Sequence, residues 1–193
     1  MKKGKAIVLF SGGVDSTLAL AWAIHEGYQP TVLEFDYEGR PEAEKEAAHR
    51  ILRRLGSPTH VRLALGTSLR PEGETGGYLA SRNLLLHSAA QSTAETIGAE
   101  AIIAGHLSDD ADQFPDAKPR YIDAIVKLAQ LARPNLRPIP VELPLHGTTR
   151  AARRRLAAEL GAPVDLAWSC WEDRVAPCGR CEKCKERARF DDA

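Results

Sequence analysis

Several features are scarce in this chain of 193 residues. Neither sign of charge is in excess, because 26 lysines and arginines balance 26 aspartates and glutamates. A neutral chain lacks the positive field that attracts nucleic acid, so a small-molecule substrate is the better expectation. No apolar run approaches the roughly 20 residues that span a bilayer. We therefore expect neither a nucleic acid nor a membrane as partner.

A secretory leader is also missing. Residues Met1 to Lys5 are basic, but they run straight into a short apolar segment and have no cleavage site of the signal-peptide type. The expected location is the cytoplasm. In that reducing compartment the four cysteines of the chain stay reduced, and they bind metal more often than they form disulfides.

The length predicts a single domain over residues 1–193. Within it we distinguish an α/β core, residues 1–165, from a C-terminal cysteine segment, residues 166–193. We find no internal repeat, low-complexity segment or linker between the two parts.

Short apolar runs alternate with helical patterns along the core. Strands are predicted at residues 6–10, 31–35, 59–65, 101–104 and 138–142. Helices are predicted at about 17–26, 43–55, 81–97, 121–132 and 148–160. Such alternation is typical of an α/β protein with right-handed crossovers. We expect a parallel, five-stranded, Rossmann-like sheet with helices on both faces.

A glycine turn follows the first strand, with the sequence S-G-G-V-D-S from Ser11 to Ser16. Gly12 and Gly13 allow a sharp turn and a close approach of backbone N–H groups to a ligand. Ser16 is predicted to cap the next helix, whose dipole favours a bound anion. The lysine of the common mononucleotide loop and the spacing of a dinucleotide turn are both absent. A plain tight turn is the alternative.

Two other stretches lack regular periodicity. Residues 66–80 form a predicted long loop, of a kind that is often functional or mobile. After the fourth strand, Gly105 opens an acidic loop that includes Asp110 and Asp116. Ligands of open α/β sheets bind where the strand order reverses. If the first and fourth strands are neighbours, the glycine turn faces the acidic loop.

The arginine run at residues 153–155 allows two interpretations. It has the composition of a phosphate-binding patch, but a solvated helix face is the more common explanation.

Four cysteines cluster near the C-terminus with the spacing C-x7-C-x2-C-x2-C: Cys170, Cys178, Cys181 and Cys184. Two successive C-x-x-C steps bring three thiolates together, and Cys170 can supply a fourth. Four thiolates with no open position suit a structural zinc ion. An iron–sulfur cluster and redox-active thiols are the alternatives.

The string S-G-G-x-D-S resembles the pyrophosphate loop of the ATP pyrophosphatases of the adenine-nucleotide α-hydrolase group. Together with the cysteine cluster, it resembles the 7-cyano-7-deazaguanine synthase family. The likeness extends through Asp36-Tyr37 with Arg40, Arg82-Asn83, Gly105 with Asp110, Pro115-Asp116, Pro144-Leu145 and Trp168-Ser169-Cys170. It covers nearly the whole chain in order.

The resemblance implies an ATP-dependent carbon–nitrogen ligase. Such enzymes adenylate the carboxylate of 7-carboxy-7-deazaguanine, form an amide with ammonia, and then dehydrate the amide to the nitrile with a second ATP. It implies ATP binding by Ser11, Gly12, Gly13, Val14, Asp15, Ser16 and Gly105. It implies catalytic roles for Asp15, Ser16 and Asp110, and substrate contacts from Arg82, Asn83, Asp110 and Asp116. Magnesium at Asp15, zinc at the cysteines and a homodimer are also expected.

The chain departs from the family pattern at several points. Pro41 follows Arg40 where a histidine is usual, Ala117 replaces a cysteine, and Arg150 replaces a lysine. One alternative is therefore a paralogue that stops at the amide or couples the deazapurine to another amine. A tRNA thiolase with the same loop is a further alternative, which the neutral charge and the clustered cysteines oppose. A non-catalytic zinc-binding module is the last.

Overall fold

Five parallel strands form one sheet in the computed structural model, which describes residues 2–68, 81–108 and 114–192. The strands are β1 (Lys5–Phe10), β2 (Gln29–Glu38), β3 (Thr59–Ser68), β4 (Ala101–Ile103) and β5 (Val141–Glu142). Their order across the sheet is β3-β2-β1-β4-β5, and every neighbouring pair is parallel. The predicted sheet is confirmed. The first and fourth strands are neighbours, so the condition stated for the glycine turn to face the acidic loop is met.

Six α-helices accompany these strands in the described part of the chain. They are α1 (Val14–His25), α2 (Glu42–Arg54), α3 (Arg82–Ile97), α4 (Pro119–Leu131), α5 (Arg150–Glu159) and α6 (Glu182–Asp191). Short 3₁₀ turns lie at Pro115–Ala117 and Val164–Leu166. No helix in the described ranges is long and apolar enough to cross a membrane.

The alternating side chains of β1 supply both cores. Ala6, Val8 and Phe10 face a cluster that includes Ala19 of α1 and Ile51 of α2. Ile7 lies in a second cluster, with residues of α3, β2 and β4. Helices therefore cover both faces, as predicted, and this burial explains why β1 is an unbroken apolar run.

A third cluster joins the C-terminal helices to α1. Val14 and Leu18 pack with Leu145, with Ala157 of α5 and with Phe190 of α6. This packing holds the start of α1, and with it the glycine turn, against α5.

Several element boundaries differ from those predicted. Pairing extends β2 and β3 beyond their apolar centres, so residues 66–68 of the predicted loop belong to β3, whereas residues 69–80 lie outside the described residues. Only Val141 and Glu142 of the predicted fifth strand pair with β4. Helix α6 was not predicted, because the cysteine spacing dominated our interpretation of that segment.

Candidate functional site

The candidate site lies at the carboxyl ends of β1 and β4, where the strand order reverses. Gly105 follows β4 and packs directly against the turn after β1. A Cβ atom at Gly105 would lie 2.7 Å from the carbonyl oxygen of Asp15 and 3.1 Å from the amide nitrogen of Ser16. Only a glycine allows this contact, so Gly105 and the glycine turn form one surface.

The glycine turn is also pressed against α2. Gly12 has a φ of 94°, and a Cβ there would lie 2.9 Å from the backbone nitrogen of Ala48. Both the positive φ and the close contact require glycine. The turn therefore presents its backbone within a fixed and narrow space.

Two serine hydroxyls tie the turn to the first turn of α1, and that of Ser11 accepts from the backbone N–H of Gly13 at 3.3 Å. Ser16 Oγ donates to the carbonyl of Gly13 at 3.1 Å and accepts from the backbone N–H of Ser11 at 3.3 Å. Helix α1 begins at Val14, and Gly13 caps it without a side-chain bond. The prediction that Ser16 caps this helix is wrong, because Ser16 lies inside the first turn. The N–H groups at this helix start still favour an anion.

A buried arginine donates a hydrogen bond to the backbone of the glycine turn. Arg40 is 6% exposed, and its Nη2 donates to the carbonyl of Ser11 at 2.7 Å. Its Nη1 lies 2.6 Å from Glu34 Oε1, and its Nε lies 3.0 Å from Glu44 Oε1. Arg40 thus links β2, α2 and the glycine turn, and is a positioning residue.

Glu34 is the buried counter-charge of this arrangement. His60 Nε2 and Arg62 Nε lie 2.7 and 3.2 Å from its Oε2. Burial opposes ionisation, but Arg40 and Arg62 outweigh it and hold the pKa of the Glu34 carboxyl below its usual range. The carboxylate is therefore charged at neutral pH.

We expect Glu34→Gln to lower the free energy of unfolding by about 3 to 5 kcal/mol at neutral pH, because it takes the nearest counter-charge from the buried Arg40 guanidinium. A lowered folded-state pKa stabilises the fold above the unfolded value of about 4.3, and this stabilisation is lost as pH falls through the folded value. The difference in the free energy of unfolding between Glu34→Gln and wild type should therefore shrink only below about pH 4. Urea unfolding of both proteins, at neutral pH and at pH values below about 4, measures this difference.

Glu38→Gln is the matched control, since Glu38 is exposed on the same strand. Equal stability of wild type and Glu34→Gln at neutral pH would contradict a stabilising role for this buried carboxylate.

Arg153 lies beside the glycine turn. It is 5% exposed, and its Nη1 lies 3.5 Å from Asp15 Oδ1. Its Nε is buried and has no hydrogen-bond partner within the described ranges. The prediction of a solvated helix face is therefore wrong for Arg153, although Arg154 and Arg155 are exposed. The packing of α5 on α1 in the third core cluster places Arg153 on the side of α5 that faces α1.

Asn83 and Asp116 are brought together from opposite ends of the predicted substrate region. The backbone N–H of Asn83 donates to Asp116 Oδ2 at 3.3 Å, and Asn83 Nδ2 donates to the Asp116 carbonyl at 3.2 Å. Both are buried, and the Asp116 carboxylate serves as a cap for α3. Arg82 is exposed at the start of that helix. Asp110 lies outside the described residues.

Two histidines that sequence analysis did not identify are in contact at this edge of the sheet. One lies on α3, the helix that carries Asn83, and the other follows Gly105. His87 Nε2 lies 2.8 Å from His106 Nε2. His87 is fully buried, and burial together with the neighbouring His106 lowers the pKa of His87 to about 3. The position of His106 directly after Gly105 was the one available signal.

The four cysteine sulfurs converge as predicted. Their Sγ atoms all lie within 4.8 Å of one another, and those of Cys178 and Cys184 are 3.9 Å apart. Four sulfurs bound at about 2.3 Å to one tetrahedral ion lie roughly 3.8 Å apart. The cluster is therefore compatible with a single metal ion. A cubane iron–sulfur cluster bonds each cysteine to a different iron and holds the sulfurs further apart.

The thiols of the cluster ionise unequally. Although burial opposes ionisation, hydrogen bonds from the backbone of Trp171 and Cys184 lower the pKa of Cys181 to about 7. Burial, reinforced by the hydrogen bond with Cys181, raises the pKa of Cys184 to about 12. A cation would offset the repulsion between thiolates and allow all four to ionise.

The cysteine segment is attached to the glycine turn. The backbone N–H of Trp168 donates to the carbonyl of Gly12 at 3.1 Å, and the Trp168 indole N–H donates to the carbonyl of Cys170 at 2.8 Å. The cysteine cluster therefore supports the same loop to which Arg40 donates.

Comparisons with known proteins give one consistent result. The sequence matches the family described as "Queuosine biosynthesis protein QueC" over residues 5–191. It is 37% identical to the 7-cyano-7-deazaguanine synthase of Saccharophagus degradans, over 100% of this chain and 96% of that protein. It is 32% identical to a protein of the same name from Thermoplasma acidophilum, over 98% of this chain and 88% of the relative.

Solved structures with the same fold are more distant. A 4-thiouridine synthetase, in a complex with RNA and bound ATP, aligns with a TM-score of 0.61 and 20% identity over 98% of this chain and 50% of that one. The U34-tRNA thiolase NcsA from Methanococcus maripaludis, with its 4Fe-4S cluster, aligns with a TM-score of 0.56 and 19% identity over 99% of this chain and 64% of that one. At such identities the likeness shows the fold alone.

Proposed function

Since this chain belongs to the 7-cyano-7-deazaguanine synthase family, we propose that it is a carbon–nitrogen ligase that makes 7-cyano-7-deazaguanine from 7-carboxy-7-deazaguanine, ATP and ammonia. The observation that carries the proposal is the surface that the glycine turn, the start of α1 and Gly105 form at the switch point of the sheet. An adenylating enzyme needs such a site for the pyrophosphate of ATP.

The proposed reaction has two activation steps. A carboxylate oxygen attacks the α-phosphorus of ATP and pyrophosphate leaves. Ammonia then attacks the acyl carbon, loses a proton and displaces AMP. The amide oxygen then attacks the α-phosphorus of a second ATP and a second pyrophosphate leaves. The O-adenylated amide loses its two N–H protons as its C–O bond breaks, which releases AMP and leaves the nitrile. Adenylation supplies a good leaving group each time and divides a difficult substitution into easier steps.

We assign the pyrophosphate to the loop from Ser11 to Ser16. Backbone N–H groups at the start of α1 would bind it, and the serine hydroxyls hold the loop in shape. An ionised Asp15 accepts but cannot donate, so it would bind magnesium rather than phosphate.

Arg153 would complete the anion site, because its buried guanidinium lies beside Asp15. We expect Arg153→Gln to raise the KM for ATP by roughly 10- to 100-fold, since a hydrogen bond to a charged group contributes about 1.5 to 3 kcal/mol. Steady-state AMP release at varied ATP measures this. Arg155→Gln is the control, because Arg155 is exposed on the same helix. An unchanged KM in Arg153→Gln would remove this residue from the site.

We propose that the deazapurine lies beside Arg82, Asn83, Asp110 and Asp116. Arg82 is exposed at the start of α3, where its planar fork could pair with the substrate carboxylate or a phosphate. Asn83 and Asp116 already bond to each other, so they would fix the shape of this wall.

We propose zinc as the metal of the cysteine cluster, in a structural role. The short separations between the sulfurs support one ion rather than a cubane cluster. Elemental analysis should give about one zinc per chain. Iron in place of zinc would overturn this assignment.

We also propose a homodimer, as the family resemblance implies. Apolar side chains on and after α4 support it: Leu128, Leu131 and Leu136 are 61%, 77% and 63% exposed. Such surface is commonly covered by a partner.

Product analysis tests the proposed function. Purified protein with ATP, magnesium, ammonium and 7-carboxy-7-deazaguanine should yield AMP, pyrophosphate and a product with the mass of the nitrile. An amide as the end product, or a conjugate with another amine, would instead support the paralogue alternative. Absence of any AMP would contradict both the nitrile-forming ligase and the paralogue alternative.

A further inference from the structure

The pair of histidines at the carboxyl edge of the sheet has no role in the proposed site so far. His87 lies on α3, and His106 follows Gly105 after β4. Their Nε2 atoms are 2.8 Å apart, and the rings stack with centroids 5.1 Å apart at 28°. A hydrogen bond between two ring nitrogens requires one to donate and the other to accept.

The pair bridges the two halves of the site. On one side, the residue before His106 is Gly105, which packs against the backbone of Asp15 and Ser16. On the other side, His87 lies one helical turn after Asn83, which bonds to Asp116. The histidines therefore lie between the loop assigned to pyrophosphate and the wall assigned to the deazapurine, where the carboxylate would react.

The two rings differ in their surroundings. His87 is fully buried, and its lowered pKa keeps it neutral at physiological pH. Its Nδ1 is buried without a hydrogen-bond partner in the described part of the chain, which is unfavourable for a polar atom. His106 is partly exposed. Of the two rings, His106 is thus the one that solvent or a substrate can reach.

We propose, building on the function proposed above, that His106 is a catalytic base that takes a proton from the nitrogen attacking the adenylated carboxylate, and that His87 is the positioning residue that fixes its ring. In the tautomer we assign, His106 Nε2–H donates to His87 Nε2. The proton from the attacking nitrogen goes to His106 Nδ1, the C–N bond forms, and the C–O bond to AMP breaks. The imidazolium later releases this proton to solvent.

Hydroxylamine as the nucleophile distinguishes a catalytic role of His106 from a purely structural one. Its nitrogen is mostly unprotonated at neutral pH, and its adduct gives up a proton more readily than the ammonia adduct. His106→Gln should lower ammonia-dependent AMP release by about 10²-fold or more. Hydroxamate formation from hydroxylamine, and exchange of labelled pyrophosphate into ATP with the carboxylate present, should stay near wild type. His146→Gln, at an exposed histidine, is the control.

His87 is tested by two substitutions. His87→Gln keeps a polar group near the position of Nε2 and should retain most of the ammonia-dependent kcat, whereas His87→Leu should lose about tenfold or more. Equal loss with ammonia and hydroxylamine in His106→Gln would show a structural role and overturn the proposal. So would unchanged ammonia-dependent turnover. If wild type itself forms neither hydroxamate nor exchange product, the proposed function fails first, and that result is distinct from both.

Discussion

Replacing Gly105 with alanine is expected to lower ATP-dependent AMP release by about 10²-fold or more. The new Cβ would lie 2.7 Å from the carbonyl oxygen and 2.8 Å from the carbonyl carbon of Asp15. Because these are backbone atoms, relief requires the loop to move by roughly 0.8 Å to reach ordinary contact distance. Displacements of about 1 Å can reduce a rate by that factor when they misplace reacting groups.

Gly66→Ala is the matched control, since a Cβ at Gly66 of β3 meets no atom within 4 Å. Both variants should bind metal and show the wild-type circular dichroism. Wild-type AMP release by Gly105→Ala would contradict the assignment of ATP to the surface formed by Gly105 and the glycine turn.

Replacing Cys184 with serine is expected to remove the metal and to destabilise the protein strongly. Structural zinc contributes an apparent free energy of about 10 to 16 kcal/mol in zinc-finger peptides, and loss of one thiolate forfeits a large part of it. AMP release should fall as well, because the segment that carries the cluster bonds to Gly12 through Trp168. Metal content, thermal unfolding and AMP release measure the three effects.

Lys185→Ser tests the same helix without touching the cluster, because Lys185 is exposed next to Cys184. It should keep about one metal per chain and wild-type turnover. If Cys184→Ser kept both its metal and its stability, the cluster would not be a structural metal site.

Local sequence predicted the features that depend on local rules. The apolar run of β1 predicted a buried strand, since a parallel strand is covered on both faces. Gly12 and Gly13 predicted the turn, and the C-x-x-C steps predicted the meeting of the sulfurs. The place of the site between β1 and β4 followed from sequence only on the condition that these strands are neighbours, and the strand order, which reverses there, meets it.

Features that depend on tertiary packing were not predictable in this way. Arg153 differs from Arg154 and Arg155 only in its direction from the helix axis, and the packing of α5 on α1 decides which arginine is buried. The contact between His87 and His106 spans 19 residues and depends on how α3 packs against the end of β4. The link from Arg40 to Ser11 similarly required knowing that β2 lies next to β1.

One labelling measurement tests the central claim most directly. We would supply 7-carboxy-7-deazaguanine with ¹⁸O in both carboxylate oxygens, together with ATP, magnesium and ammonium. Adenylation of the carboxylate and then of the amide predicts that both labels appear in AMP, one in each AMP released for every nitrile formed. Label in inorganic phosphate with formation of ADP, or AMP without label, would contradict the account.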